Sequence, residues 1–322
     1  MTQPQQPIAI VIHGGAGTIC RADMTPKQEK AYRARLTEAL EAGHAVLEKG
    51  ARAVDAVLGA VEVMEDSPLF NAGRGAVFSR GGVNRFDASI MDGATLNAGA
   101  VGAVEHVAHP IRLACTVMTD SPHVMLVGRG AEDFAWAHGF EFTPASRFYT
   151  EGRWDSHIEG LKNLAPDSPG TPELIAGKRG WAYGTVGAVA LDREGHIAAG
   201  TSTGGLTNML DGRVGDSAVV GAGTYADDAT CGASGTGVGE FYVRLGLTKS
   251  ISDLMEMKGW SLDKAADTLV MEKLVKLGGE NTGGVIALDA EGRIAAPFNT
   301  QGMYRAWIGP DGKRVVRIYK DE

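Results

Sequence analysis

No apolar run in this 322-residue sequence approaches the ~20 residues that a helix needs to cross a bilayer. The first residues, Met1 to Pro7, lack the basic and long apolar regions of a secretory signal. Three cysteines (Cys20, Cys115, Cys231) are scattered and odd in number, with no CxxC spacing. That excludes a disulfide framework and a zinc ribbon and suits a reducing cytosol, so a cytoplasmic location is expected. A net charge of −8 speaks against nucleic acid or an anionic membrane as partner.

What is abundant is glycine. Its 45 residues are about twice the ordinary ~7 % usage and come in clusters without a collagen period. Many sharp turns or close backbone approaches are therefore required. With 44 % hydrophobic and 22 % charged residues the chain is globular and long enough for one large core.

Ile8–Ile12 reads as a buried strand running into His13-Gly-Gly-Ala-Gly17. Thr25-Pro26-Lys27-Gln28 is a helix start with a capping box, opening a helix to Gly50; a second helix spans 51–64. Strands are expected at 76–79, 85–91, 98–107 and 123–127, and helices at 110–119 and 130–138. From 146 to 179 the pattern dissolves around Pro166, Pro169 and Pro172, which predicts a mobile or functional segment. After it, Val186–Ala199 resembles Gly284–Ala296: each is a strand, a Glu-Gly turn and a second strand. Two such hairpins beside the helices near 240–257 and 262–277 predict antiparallel sheets stacked between helical layers.

Three features could carry chemistry. Gly221-Ala-Gly223-Thr-Tyr-Ala226 fits a loose phosphate-loop string, but no convincing helix follows it, and Gly235-Thr-Gly237-Val-Gly239 lacks a Walker lysine. Glycine-flanked hydroxyls gather at Thr185, Thr201–Thr203 and Ser234–Thr236; a Ser/His/Asp triad is unsupported, since His196 alone lies in that half. Thr185 follows Gly184 at the start of a buried strand. That position is an ordinary strand start, or a nucleophile that works once its own amine is freed as base. Arg213-Val-Gly-Asp216 is either a solvated pair or a zwitterion clamp, Arg on a carboxylate and Asp on an ammonium.

Taken together, His13–Gly17, Pro68-Leu-Phe-Asn-Ala-Gly73, Gly184–Asp192, Thr201-Ser-Thr-Gly-Gly205, Gly212–Ser217, Ser234–Glu240 and Pro297–Met303 resemble the plant-type L-asparaginase and isoaspartyl aminopeptidase family. These are N-terminal nucleophile hydrolases, and the motifs run in order from Ile8 to about Trp307. The resemblance implies an α+β fold, a four-layer αββα sandwich in a single domain of residues 1–322. It implies self-cleavage between Gly184 and Thr185 into an α chain 1–184 and a β chain 185–322, with 146–184 a mobile linker, and pairing as a dimer of αβ heterodimers.

Carried over by position, the resemblance implies that Thr185 is the nucleophile, that Thr203 supports it, and that Thr236 and Gly237 form the oxyanion hole. Arg213, Val214, Gly215, Asp216, Thr236, Gly237 and Gly239 would bind substrate, Arg213 the α-carboxylate and Asp216 the α-amine. No cofactor is expected for catalysis. Main-chain carbonyls of Met64, Glu65, Ser67, Phe70, Ala72 and Arg74 would hold a structural sodium ion. Two residues depart from the family pattern: Arg74, where an apolar side chain is expected, and Gly235, which predicts a looser oxyanion loop. The implied reaction is hydrolysis of L-asparagine and β-aspartyl dipeptides through a β-aspartyl-Thr185 ester. A glycosylasparaginase-type amidase and a non-catalytic glycine-rich metabolite- or nucleotide-binding protein are the alternatives.

Overall fold

The computed structural model describes residues 7–17, 19–162 and 184–322. Its architecture follows from period-2 alternation in strands buried on both faces. In β1 (Ala9–Gly17), Ile10 and Ile12 enter one core while Ala9 and Val11 enter another. In β5 (Val186–Leu191), Val186, Ala188 and Ala190 share the first core and Val189 and Leu191 the second. Strands with no solvated face must be covered twice, which makes layers.

Among the described residues the main sheet has eight strands in the order β12-β11-β1-β5-β6-β2-β3-β4. The further members are β2 (Phe86–Asp92), β3 (Ala98–Val104), β4 (Met125–Val127), β6 (Ile197–Thr203), β11 (Gly302–Ile308) and β12 (Arg314–Tyr319). A second sheet runs β10-β9-β8-β7, from β7 (Thr224–Ala226), β8 (Cys231–Gly237), β9 (Gly283–Asp289) and β10 (Ile294–Ala295). Every pairing is antiparallel except β3–β4. The two predicted hairpins are β5–β6 and β9–β10.

Helices α1 (Pro26–Glu48), α2 (Ala53–Glu65), α3 (Pro110–Asp120) and α4 (Gly128–Ala137) cover the outer face of the large sheet. Helices α6 (Gly239–Leu245), α7 (Leu247–Lys258) and α8 (Leu262–Asp267) cover the small one, where Cys231, Ala233, Val285 and Ala287 meet Phe241, Ile251 and Leu262. Between the sheets lie Val11, Val189, Ile197, Tyr225, Ile286 and Leu288. This is the αββα sandwich. The capping box at Thr25 forms as predicted, with Thr25 accepting from Gln28 N and the Gln28 side chain accepting from Thr25 N.

Two local expectations fail for physical reasons. Residues 76–79 are buried and extended but form no strand, because side-chain amides take the ladder's place. Asn84 Nδ2 donates to the carbonyls of Ala76 and Val77, and Val77 N–H donates to Asn71 Oδ1. The patternless stretch contains a twelve-residue helix, α5 (Glu151–Lys162). Its contact face carries Trp154 and His157, three residues apart and packed on Phe78, with His157 Nδ1 2.5 Å from Asn208 Oδ1, and Arg153, whose Nε donates to Gly75 O at 2.9 Å. An aliphatic periodicity search misses such a face. The rest of the predicted linker, 163–183, lies outside the described residues.

Candidate active site

The site forms where β1, β5, β6 and β8 meet at one end of the two sheets. Thr185 begins β5 and is buried. Its hydroxyl donates to Thr203 Oγ1 at 3.2 Å, at the end of β6. Thr203 Oγ1 in turn donates to the Gly184 carbonyl at 3.1 Å and accepts from Gly205 N–H at 3.1 Å. A second donor reaches that same carbonyl: Asn71 Nδ2, at 2.9 Å, which also donates to the Gly205 carbonyl. The Gly184 oxygen therefore sits between two donors, one hydroxyl and one amide, while the Thr185 hydroxyl touches one of them.

Close approach explains the glycines here. A Cβ on Gly15 would stand 2.9 Å from Gly184 Cα and 3.3 Å from Thr185 N, and Gly15 has φ +112°. A Cβ on Gly187 would stand 2.0 Å from Ser234 Oγ and 2.5 Å from His13 Nε2.

His13 holds Thr185 from behind. Its Nδ1 lies 3.0 Å from the Thr185 carbonyl, which can accept only, so Nδ1 carries the proton and Nε2 accepts from Ser234 Oγ at 2.9 Å. Burial pushes the imidazole down to about 3, so it is neutral. Behind Ser234 the chain continues to Thr201 at 2.7 Å and Thr224. The hydroxyl cluster expected from sequence is thus largely a buried hydrogen-bonded scaffold. His196 lies apart, in the β5–β6 turn, paired with Asp228 at 2.8 Å.

Thr236 and Gly237 end β8. Ala16 N–H donates to Thr236 Oγ1 at 3.1 Å, which brings this turn against the strand that flanks Gly184. Gly237 is a required glycine: φ is +156°, and a Cβ would stand 2.2 Å from Thr282 O. Gly235, expected to loosen the loop, leaves room for an aromatic ring. A Cβ there would stand 2.7 Å from the ring of Tyr242, which fills the space.

Arg213, Asp216 and Gly239 lie together in the structure. A Cβ on Gly239 would meet Asp216 Oδ1 at 2.5 Å and Arg213 Nη2 at 3.0 Å. Sequence reading missed Glu240, whose carboxylate takes Arg213 Nε at 2.7 Å and Nη2 at 3.3 Å. Nε and Nη2 are therefore taken from within, and Nη1, beside Gly205 and Gly215, donates to the Met209 sulfur at 3.9 Å. Gly215 N–H donates to the buried Asp87 at 2.8 Å. The Val214 side chain packs toward Gly102 of β3, where a Cβ would be 3.0 Å away. Asp216 is buried, and its Oδ2 has no hydrogen-bond partner among the described residues. Burial, with Glu240 and Asp87 opposing Arg213, pushes its carboxyl up to about 7.

In the 64–75 loop the carbonyls of Glu65, Ser67 and Phe70 crowd two glycines. A Cβ on Gly73 would be 2.4 Å from Glu65 O, and one on Gly75 would be 2.0 Å from Phe70 O and 2.9 Å from Ser67 O. Met64 O and Ala72 O accept turn hydrogen bonds from Ser67 N and Gly75 N. The Arg74 side chain is exposed. The Glu65 carboxylate turns inward, accepting from Ser202 Oγ at 2.6 Å and so tying this loop to β6.

Residues 5–318 match the family described as asparaginase. The chain belongs to that family. Asparaginase-family proteins are N-terminal nucleophile hydrolases, and the mixed layered fold agrees. Among family members, the Escherichia coli K12 protein named isoaspartyl peptidase is 48 % identical over 315 residues, covering 97 % of this chain and 96 % of that protein. The Salmonella typhimurium isoaspartyl peptidase is 50 % identical over 314 residues, 97 % and 98 % of the two chains. The plant-type L-asparaginase of Pyrococcus abyssi is 41 % identical over 304 residues, 94 % and 96 %. Family membership removes the reading as a non-catalytic glycine-rich binder.

Proposed function

We propose that this protein is a self-processing threonine hydrolase that releases L-aspartate from β-aspartyl dipeptides and L-asparagine. The observation that carries the reading is the Gly184 carbonyl held by Asn71 Nδ2 and Thr203 Oγ1 with the Thr185 hydroxyl on the same Thr203 oxygen. Attack of Thr185 Oγ1 on the Gly184 carbonyl carbon puts negative charge on an oxygen that already has two donors. The Gly184–Thr185 C–N bond breaks, the hydroxyl proton ends on the leaving nitrogen, and an ester joins Gly184 to Thr185 Oγ1. Water opens the ester, leaving a carboxylate on Gly184 and a free amine on Thr185.

That amine, titrating near ~8, takes the hydroxyl proton in the second reaction. Thr185 Oγ1 then attacks the side-chain carbonyl of the substrate. The oxyanion is met by the Thr236 hydroxyl and Gly237 N–H; Ala16 N–H occupies one lone pair of Thr236 Oγ1 and leaves its proton to donate. Ammonia or an amino acid leaves with the proton, and water hydrolyses the β-aspartyl ester. Asp216 supplies the carboxylate for the α-ammonium, which gives its unpartnered Oδ2 a hydrogen-bond donor. Arg213 holds the α-carboxylate through Nη1, with Glu240 bracing the other edge. Val214 and Gly215 contribute backbone, and Gly239 contributes space.

The loop of Met64, Glu65, Ser67, Phe70, Ala72 and Arg74 fits a monovalent cation. Its donors would be neutral carbonyl oxygens, of which those of Glu65, Ser67 and Phe70 pack on Gly73 and Gly75, and the Arg74 side chain is exposed. Sodium there would neutralise carbonyl dipoles and brace the loop that carries Asn71. We further infer a dimer of αβ heterodimers in the cytoplasm. No helix among the described residues is long and apolar enough to cross a membrane. The mass of the cleaved protein by light scattering tests the oligomer.

A denaturing gel tests the whole reading. Purified protein should give two bands with a new N-terminus at Thr185, and Thr185→Ala should stay intact and lose at least ~10⁴-fold in activity. A single full-length band in active wild-type protein would refute it. Assays with β-Asp-Leu and with glycosylated asparagine distinguish this substrate class from that of a glycosylasparaginase.

A further inference from the structure

Tyr242 of α6 is fully buried, and its hydroxyl lies 2.9 Å from the Thr236 carbonyl oxygen and 2.8 Å from that of Gly284. Thr236 and Gly284 are paired across the β8–β9 ladder. A phenol has one proton to give, so the two carbonyls share it as a three-centre bond. Burial, with Asp216 adding to it, raises the phenol well above its ordinary range, so that proton stays in place at any working pH. The slot for this side chain is cut by absent side chains. A Cβ on Gly235 would stand 2.7 and 2.8 Å from the ring, and one on Gly283 would stand 2.3 Å from the hydroxyl.

The carbonyl of Thr236 and the N–H of Gly237 belong to one planar trans peptide unit, so they point in opposite directions. Whatever fixes the carbonyl aims the N–H. A peptide that precedes a glycine in an unusual conformation, here with φ +156°, rotates more freely than most unless something holds it. From the β9 side, Val238 N–H bonds to Thr282 O at 2.9 Å, and Asn299 Oδ1 accepts from Thr282 N and Gly283 N at 2.8 and 3.0 Å. Those contacts and the Thr236–Gly284 ladder pairing hold the backbone around the 236–237 peptide, and Tyr242 adds the one side-chain donor to its carbonyl among the described residues. Donation to its carbonyl also polarises the amide and strengthens the N–H on the far side as a donor.

We propose that Tyr242 is a positioning residue that aims the Gly237 N–H, and with it the Thr236 hydroxyl, at the oxyanion of the substrate reaction. This rests on Thr236 and Gly237 being the oxyanion donors. Self-cleavage does not use this turn, because the Gly184 carbonyl has its own donors in Asn71 and Thr203. The two reactions therefore separate the role of Tyr242 from general damage to the fold.

The experiment compares Tyr242→Phe, Gly235→Ala and the double variant with wild type on β-Asp-Leu, together with the self-cleavage rate on gels. Tyr242→Phe should lower kcat ~10- to 100-fold, a fraction of the effect of deleting an oxyanion donor, with KM within about twofold and self-cleavage unchanged. Gly235→Ala, which pushes the ring off its place, should lower kcat in wild type and much less in the Tyr242→Phe background. If Tyr242→Phe does not accumulate, Gly235→Ala carries the test through the same split between kcat, KM and self-cleavage. A Tyr242→Phe kcat within twofold of wild type, or a kcat loss matched by equally slowed self-cleavage, overturns the proposal. Thr236→Ala keeps the two ideas apart: wild-type kcat there removes the oxyanion assignment itself.

Discussion

Around the Gly184–Thr185 bond every polar partner among the described residues is a neutral dipole: the Asn71 amide, the Thr203 hydroxyl and the His13 imidazole. Around Arg213 one guanidinium faces three carboxylates, of Glu240, Asp87 and Asp216. Bond cleavage needs groups that meet a charge which arises only in the transition state, and fixed dipoles do this without a standing charge to desolvate. Recognising an amino acid needs charge already in place before the ligand arrives. Separating the two allows the same Thr185 to serve one reaction in which there is no zwitterion and a second in which there is.

The sharpest way to break this contrast is at Asn71. Asn71→Asp keeps the acceptor for Val77 N–H but withdraws the donor from the Gly184 carbonyl and puts a charge where an oxyanion must form. Self-cleavage should slow by roughly 10²- to 10³-fold, the usual effect of one lost oxyanion donor. The full-length band, followed over days, measures it. A rate within threefold of wild type would mean that Thr203 alone holds the developing charge.

At the charged end, Asp216→Asn removes the anion offered to the α-ammonium. We expect kcat/KM for β-Asp-Leu to fall about 10²-fold, mostly through KM, from the loss of a buried charge-assisted contact. The wild-type acid limb should contain two ionisations, Asp216 at about 7 and the Thr185 amine near ~8, and the variant only the second. Stability moves the other way. The folded protein keeps the Asp216 proton up to about 7, whereas the unfolded chain releases it near 3.8, so ionisation weakens the fold progressively between those values. Asp216→Asn escapes that cost. Its advantage in urea melts of the cleaved protein should grow from pH 5 to pH 8, by about 2.6 kcal/mol at most, and level off above that.

The two ends also differed in how far the sequence reveals them. Thr185, Thr203, Arg213 and Asp216 stand out because chemistry-bearing types sit among glycines, and the layered fold is legible because period-2 strands bracket capped helices. Asn71 and His13 lie within motifs that carry the resemblance, yet nothing local assigns them a partner. Their partners are 113 and 172 positions away in the chain. Glu240 reads as a helix-start acid, and its pairing with Arg213 depends on how α6 meets the preceding loop. The helix at 151–162 is hidden because its packing face carries a tryptophan, a histidine and an arginine, and Gly235 reads as slack until Tyr242 is seen in its notch.

The smallest expected effect is the finest test of the contrast. Glu240 acts on Asp216 in two opposed ways. Its charge disfavours a second carboxylate nearby and so raises the Asp216 pKa. Its bidentate hold on Arg213 keeps in place the cation that lowers it. Glu240→Gln deletes the charge but leaves one hydrogen bond to the guanidinium, and Arg213 stays packed in its buried site between Met209 and Gly215. The direct charge term should then dominate. The lower ionisation in the pH profile of kcat/KM should move down by roughly 0.5 pH units, with kcat within twofold of wild type. Movement in the opposite direction would mean that Arg213 swings away once Glu240 no longer grips it. In that case the acid's main service to the pocket is mechanical, and the charged end, like the neutral one, is organised by hydrogen-bond geometry.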